Sequence, residues 1–251
     1  MRNSRFYVPE PLKTGQTLHL NEESAHYIRS VLRLRNDTEI TLFNGEGGEF
    51  EARITAITRR SATAKVGSFR SRNIDPPLNI NLGLAISRGE RMDFALQKCV
   101  ELGVSRVFPL LTERCVVRLN ENRKAANRQQ HWRKIVQNAS EQCGRTSVPE
   151  IAGIARLDAW VGETKGLKIF LDPYGQKTLD QLEPPTETIT LLSGPEGGFS
   201  ENERQLAVAS GFNPISLGQR ILRTETACIA AMAAILMLWG DFRSHQFTAR
   251  R

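Results

Sequence analysis

Hydrophobic and polar positions follow one rhythm before residue 75 and another after it. In Glu39–Phe43 (EITLF) and Phe50–Ile57 (FEARITAI), apolar residues alternate with polar ones, which is the period of a half-buried strand. Asn44-Gly45-Glu46-Gly47-Gly48 lies between them and supplies turn residues, so a hairpin is predicted. Ala62–Val66 reads as a further strand. Glu22–Leu34 reads as a helix with Ile28, Val31 and Leu32 on one side. Together these make the pattern of a small β-barrel with one helix. Asp75-Pro76-Pro77 then disfavours regular structure, and the boundary is placed there, giving domains 1–74 and 75–251.

Beyond the prolines, strands alternate with helices. Leu78 to Ile86 alternates as a strand, and Arg88–Leu102 follows with Met92, Ala95, Leu96, Cys99 and Leu102 at helical spacing. Arg106–Leu111 is a second strand and Arg128–Gln142 a second helix. Lys168–Leu171 and Thr188–Leu192 are apolar runs of the buried-strand type, with Ile215–Leu217 as another. Ser200 opens a helix with Glu201 and Glu203 in its first turn, and Thr224–Trp239 forms a last one. This order predicts an α/β domain with a mainly parallel sheet. The last helix is apolar all round from Ala227, so it is either an internal core helix or the seam of a dimer, and both can hold at once.

Composition narrows the class. With 40% apolar and 24% charged residues in 251, the chain is an ordinary globular one. Its longest apolar run, Ala227 to Trp239, falls short of the roughly 20 residues that cross a bilayer, and no secretory h-region is evident at the start. Cys99, Cys115, Cys143 and Cys228 lie far apart, as do the four histidines. Zinc-like spacing is absent, and reduced thiols in a cytoplasmic protein are expected. The net charge of +7 comes entirely from the first 165 residues, which carry +8 against −1 in the rest. Seven basic residues between Arg114 and Lys134 (Arg114, Arg118, Arg123, Lys124, Arg128, Arg133, Lys134) face Glu121 alone. That block is either a solvated helix and loop or a phosphate-facing surface.

Two loops carry candidate chemistry. Leu192-Ser193-Gly194-Pro195-Glu196-Gly197-Gly198-Phe199 follows a buried strand and precedes a capped helix. It matches neither a dinucleotide fingerprint nor a P-loop, yet it holds more glycine than a plain turn needs. Ser216 to Ala227 (SLGQRILRTETA) leads into the last helix, with Thr224 read as its N-cap and Glu225 as a favourable first-turn acid. Arg223 runs against the dipole preference at that end, which points to an anionic partner or a developing anion.

Taken with RFYVPEPL, HYIRSVLRLR, ERMDFALQKCVELGVSRVFPLLTERCVVRL and ASEQCGR, these two loops resemble the RsmE family. Its members are the 16S ribosomal RNA (uracil-N3)-methyltransferases of the SPOUT superfamily. Departures are small: Ser87-Arg88-Gly89 stands where a lysine is expected, and Ala25 replaces one histidine of a pair.

The resemblance implies an N-terminal PUA-like β-barrel and a C-terminal trefoil-knot domain that binds S-adenosylmethionine and forms a homodimer. Carried over by position, the cofactor residues are Leu171, Leu192, Ser193, Gly194, Pro195, Glu196, Gly197, Leu217, Gly218, Ile221, Leu222, Arg223, Thr224 and Thr226. Uracil N3 is a poor nucleophile until its proton leaves. Arg223 is therefore the candidate for charge stabilisation, with Glu196 and Glu225 as candidates for base or cofactor orientation. For Glu225 a helix-cap role remains equally open. No metal is called for, because the leaving group is already cationic. Arg5, Arg29, Arg33, Arg35, Arg114, Arg118, Arg123 and Lys124 are the candidates for contacts to 16S rRNA in the small ribosomal subunit. Competing readings are a ribose 2′-oxygen methyltransferase and an RNA-binding assembly factor without catalysis.

Overall fold

The computed structural model describes residues 4–115 and 122–243. The chain forms two compact units, one of residues 1–75 with 140–148 and one of residues 76–139 with 149–251. The segment Ser140–Val148 thus belongs to the first unit, although it lies within the second sequence-based domain.

In the first unit, β1 (Ser4–Tyr7), β2 (Thr17–Leu20), β3 (Glu39–Phe43), β4 (Glu49–Ile57) and β5 (Ala62–Arg70) form one sheet in the order β1-β3-β4-β5-β2. The predicted β3–β4 hairpin is present, with Ile40 opposite Ala52 and Leu42 opposite Phe50. The sheet curls into a half-barrel rather than a closed barrel, because β1 and β2 are its two edges among the described residues. Its concave side buries Phe6, Leu18, Leu20, Ile28, Ile40, Leu42, Ile54 and Val66.

The helix expected over Glu22–Leu34 is shorter. α1 (Glu22–His26) starts where the Asn21 side chain accepts the Ser24 amide at 2.8 Å, and the chain then widens into a π turn over Tyr27–Val31. There the Leu32 amide reaches the Tyr27 carbonyl five residues back, at 2.9 Å. The extra residue per turn shifts the phase, so Ile28 is buried while Val31 turns outward.

Arg5 sits in a buried charge network in this unit. Its guanidinium pairs with Glu49 and donates to the Arg145 carbonyl at 2.9 Å, and Arg72 reaches the same carboxylate at 3.1 Å. Arg145 Nε lies 2.7 Å from Asp75 Oδ1. Burial pushes the Glu49 carboxyl up, but hydrogen bonds and charge from Arg5 and then Arg72 outweigh it and leave the group below the ordinary glutamate range.

The second unit alternates strand and helix as expected: β6 (Asn79–Ala85), α2 (Glu90–Glu101), β7 (Arg106–Leu111), α3 (Asn122–Cys143), β8 (Glu150–Ile151), β9 (Ala155–Arg156), α4 (Leu157–Val161), β10 (Leu167–Leu171), β11 (Thr188–Ser193), α5 (Glu201–Ala209), β12 (Asn213–Ile215) and α6 (Thr224–Trp239). Every strand pair is parallel, in the order β12-β10-β11-β6-β7-β8, with β9 also on β7. A strand buried on both faces needs apolar side chains, which Ile189, Leu191 and Leu192 supply, while the buried Thr190 hydroxyl donates to the Lys165 carbonyl at 2.8 Å. β12 ends at Ile215 rather than beginning there. Pro214 within it lacks an amide proton, which an edge strand tolerates.

α6 resolves part of the alternative its sequence left open. Cys228, Ala231, Met232, Ile235 and Leu236 are buried, and α2 supplies Met92, Leu96 and Cys99 to the buried core. Cys99 Sγ donates to Cys228 Sγ at 3.7 Å. Among the described residues, no helix is long and apolar enough to cross a membrane.

Candidate cofactor and active site

In parallel α/β sheets, ligands collect beyond the carboxyl ends of the strands. β10, β11 and β12 all end at one cavity of about 470 Å³. The loop after β10 brings Leu171, Asp172 and Tyr174, the loop after β11 brings Ser193 to Phe199, and the loop after β12 brings Leu217 to Thr224. Two loops with 17 residues between them therefore share one wall, as the resemblance implies.

Each loop has a local reason for its course. Ser200 and Glu203 form a reciprocal cap on α5: the Glu203 amide donates to Ser200 Oγ at 3.2 Å and the Ser200 amide to Glu203 Oε2 at 2.9 Å. The other oxygen of Glu203 accepts the Glu113 amide at 2.8 Å, which fixes the end of the β7 loop beside α5. Arg114, next in that loop, donates to the Gly197 carbonyl at 3.1 Å. Gly194 permits the close approach of Phe199, since a Cβ there would lie 2.6 Å from the ring. Gly218 has φ +89°, a backbone conformation favouring glycine.

α6 begins differently from expectation. Thr224 is its first helical residue, and Arg223 occupies the cap position without a side-chain hydrogen bond to the helix. The amides of Thr224, Glu225 and Thr226 therefore have no intrahelical acceptor and no cap. Arg223 is exposed and makes no hydrogen bond or ion pair among the described residues, and Arg220 beside it is exposed as well. By contrast, Glu196 is engaged. Its Oε1 accepts the Arg88 amide at 3.2 Å and lies 3.3 Å from Arg91 Nη1, so the carboxylate ties the β11 loop to the start of α2.

Most of the candidate cofactor residues line this cavity: Leu171, Ser193, Gly194, Pro195, Glu196, Gly197, Leu217, Gly218, Ile221, Leu222, Arg223 and Thr224. Two do not. Leu192 is fully buried in the core with Phe170 and Phe199, and Thr226 lines a neighbouring cavity with Glu225. Residues that the sequence reading missed are Asp172, Tyr174, Arg204 and Arg91. Arg204 grips the buried Asp172 carboxylate with two contacts of 2.8 Å and lies 5.2 Å from the Tyr174 ring centroid. The Asp172-Pro173-Tyr174-Gly175 turn directly after Leu171 was the signal available.

The candidate RNA contacts separate. Arg29, Arg33 and Arg35 are exposed on the first unit, and Arg123 and Lys124 are exposed on α3. Arg5 is withdrawn from this set, because its guanidinium is buried against Glu49. Arg114 faces the cavity beyond β10, β11 and β12 instead of a separate surface. Arg118 lies outside the described residues. Among the described residues, no group of three histidine, cysteine or acidic side chains is placed to hold a metal ion.

The cavity joins an apolar wall (Leu171, Ile215, Leu217, Leu222, Ala227) to uncapped amides and free guanidinium groups. Such a surface fits a molecule that is apolar along one side and charged at its end. Comparison with known proteins agrees. Residues 75–236 match the RNA methyltransferase domain family, and residues 20–67 match the RNA methyltransferase PUA domain. A ribosomal RNA small subunit methyltransferase E of Buchnera aphidicola is 36% identical over 96% of this chain and 98% of its own. A Legionella pneumophila methyltransferase solved with bound S-adenosylmethionine is 40% identical, with a TM-score of 0.93 over 96% of this chain and all of its own. The ribosomal RNA small subunit methyltransferase E of Neisseria gonorrhoeae, bound to S-adenosylmethionine, is 40% identical with a TM-score of 0.90 and the same coverage. The chain therefore belongs to the ribosomal RNA small subunit methyltransferase E family.

Proposed function

We propose that this protein methylates N3 of a uridine in 16S ribosomal RNA within the small ribosomal subunit, with S-adenosylmethionine held in the cavity beyond β10, β11 and β12. The observation that carries this reading is the convergence of the Gly194–Gly198 loop and the uncapped start of α6 on one cavity, with Arg223 free at its edge.

The cofactor supplies an electrophilic methyl group whose departure leaves a neutral thioether. The rest is work for this chain. Leu171, Leu217 and Leu222 exclude water from the apolar side, and the uncapped amide of Thr224 suits a carboxylate. Arg223 donates to a uracil carbonyl oxygen and stabilises the charge that grows there as N3 loses its proton. Glu225 takes that proton in this reading. Glu196, held by the Arg88 amide and Arg91, orients the cofactor loop. N3 lies on the Watson–Crick edge, so the target base is unpaired or extruded.

The division into 1–74 and 75–251 belongs to this reading, with the first domain gripping RNA through Arg29, Arg33 and Arg35, and Arg123 and Lys124 adding contacts from α3. So do a trefoil knot formed around the two cofactor loops, a cytoplasmic location and a homodimer. The dimer is supported by Met237, an apolar side chain left half-exposed on the apolar stretch of α6 that starts at Ala227.

The test is transfer from labelled S-adenosylmethionine to small subunits that lack the modification, with the product nucleoside identified by mass spectrometry. Label in 3-methyluridine is expected. Label on a ribose oxygen would retain the cofactor site and overturn the chemistry.

A further inference from the structure

A second cavity, of about 640 Å³, shares Arg91, Ile221, Leu222 and Arg223 with the cofactor cavity and adds Glu90, Phe94, Glu225 and Thr226. Two features of its lining have no explanation within the fold. Oε2 of Glu225 is buried and has no hydrogen-bond partner among the described residues. That oxygen is sealed from solvent and is not the one a ligand would meet first, but the Glu225 carboxylate as a whole lines the cavity and makes no hydrogen bond or ion pair among the described residues, which favours a ligand that brings a donor. Phe94, on the second turn of α2, is 48% exposed, and Ile221 is 81% exposed.

We propose that this second cavity receives the uracil ring of the target nucleotide, with Phe94 as its stacking platform and Glu225 as the acceptor of its N3 proton. The inference rests on the N3-methylation reading above and gives it a base-binding site. Uracil presents an N–H donor between two carbonyl acceptors. The cavity offers a carboxylate acceptor, Glu225, together with two guanidinium donors, Arg91 and Arg223. Arg91 engages Glu196 with one terminal nitrogen, and a guanidinium has five donors in all. The same pattern disfavours cytosine, whose N3 carries a lone pair that would face the carboxylate. Arg223, Ile221 and Leu222 belong to both cavities, so a base in one lies beside a methyl donor in the other.

The step balances. The N3–H bond breaks and its proton passes to Glu225. The N3 electron pair forms the bond to the methyl carbon, and the carbon–sulfur pair stays on sulfur as the thioether. Glu225 returns the proton to solvent after release.

The test compares wild type with Phe94→Ala and Glu225→Gln for three readouts. These are S-adenosylmethionine affinity by calorimetry, steady-state transfer to unmodified small subunits, and sedimentation. Phe94→Ala should raise KM for the subunit by about tenfold or more, as loss of a base–aromatic stack does. Cofactor affinity should stay within about twofold, because Phe94 lines only the second cavity. Glu225→Gln should lower kcat by about a hundredfold or more. A 5-iodouridine placed at the modified position should photocrosslink to the peptide carrying Phe94. If wild type forms 3-methyluridine while Phe94→Ala transfers normally, or the crosslink maps outside both cavities, the base-site inference falls and N3 methylation stands. A change of oligomeric state in Phe94→Ala would show that a second copy covers this cavity, and would overturn it too. Absence of 3-methyluridine with wild type would instead remove the reading on which it rests.

Discussion

Arg204 holds Asp172 through two parallel contacts of 2.8 Å, and Asp172 is buried at the wall of the cavity beyond β10, β11 and β12. The pair joins α5 to the end of β10 and sets the position of Tyr174, whose amide donates to Asp172 Oδ1 at 3.0 Å. Asp172→Asn removes the counter-charge from a partly buried guanidinium. Urea unfolding should show a loss of about 3 kcal/mol. Calorimetry should show cofactor affinity falling by about tenfold, since Tyr174 and Arg204 both line the cavity.

Glu203 carries two jobs on one carboxylate, capping α5 and anchoring the Glu113 amide. Ser200→Ala removes only the cap and should cost about 1 kcal/mol in denaturant. Glu203→Ala also strands two amides and should cost about 1–3 kcal/mol more. The larger change should weaken cofactor binding as well, because Arg114 and Gly197 lie next along the anchored loop.

Arg223→Ala should leave the unfolding midpoint unchanged, as the side chain is exposed and engages nothing among the described residues. Its transfer rate should drop by about a hundredfold to a thousandfold in single-turnover assays, the range for losing one donor to a developing oxyanion.

Acid should loosen the first unit. The Glu49 carboxyl titrates below its ordinary value of 4.5 in the folded chain, because Arg5 and Arg72 outweigh its burial. A depressed folded value means the contribution is present above the unfolded value and is lost as pH falls through the folded one. Stability measured between pH 6 and 3 should therefore fall most steeply on the acid side of about 4.5. Glu49→Gln should lower stability at neutral pH and flatten that slope.

The four thiols should divide in reactivity. The hydrogen bond that Cys99 donates to Cys228, then burial, pushes the Cys99 thiol well above its usual value, and both residues are buried. A thiol kept protonated is a poor nucleophile. Alkylation of the folded protein should label Cys115 and Cys143 while sparing Cys99 and Cys228, as peptide mass spectrometry would show.

Much of this architecture was legible because its signals are local. The Ser200–Glu203 pair announces a capped helix in four residues, and apolar runs such as Thr188–Leu192 identify buried parallel strands. Other features were set by tertiary context. α3 begins at Asn122 rather than Arg128, since its first turns are polar and carry no apolar period. The π turn at Tyr27 could not be read from residue type, because it changes the phase on which periodicity depends. Thr224 gave way to Arg223 as the cap, with the chain still extended at Arg223 (φ −66°, ψ 155°). At the site, the two loops each showed their character within a dozen residues. Arg91 and Arg204 reach the cavity from other elements, and nothing near them in sequence indicates a ligand. Arg5 was misread because a lone exposed arginine and one paired with Glu49 look alike before folding.

The cavity built by the ends of β10, β11 and β12 is the proposed seat of the methyl donor. Its most direct test is amide hydrogen exchange of the purified protein with and without saturating S-adenosylmethionine. Protection should concentrate in residues 171–174, 193–199 and 215–224, with the amide of Thr224 among the most affected. Binding without protection of the 193–199 and 215–224 loops would contradict it.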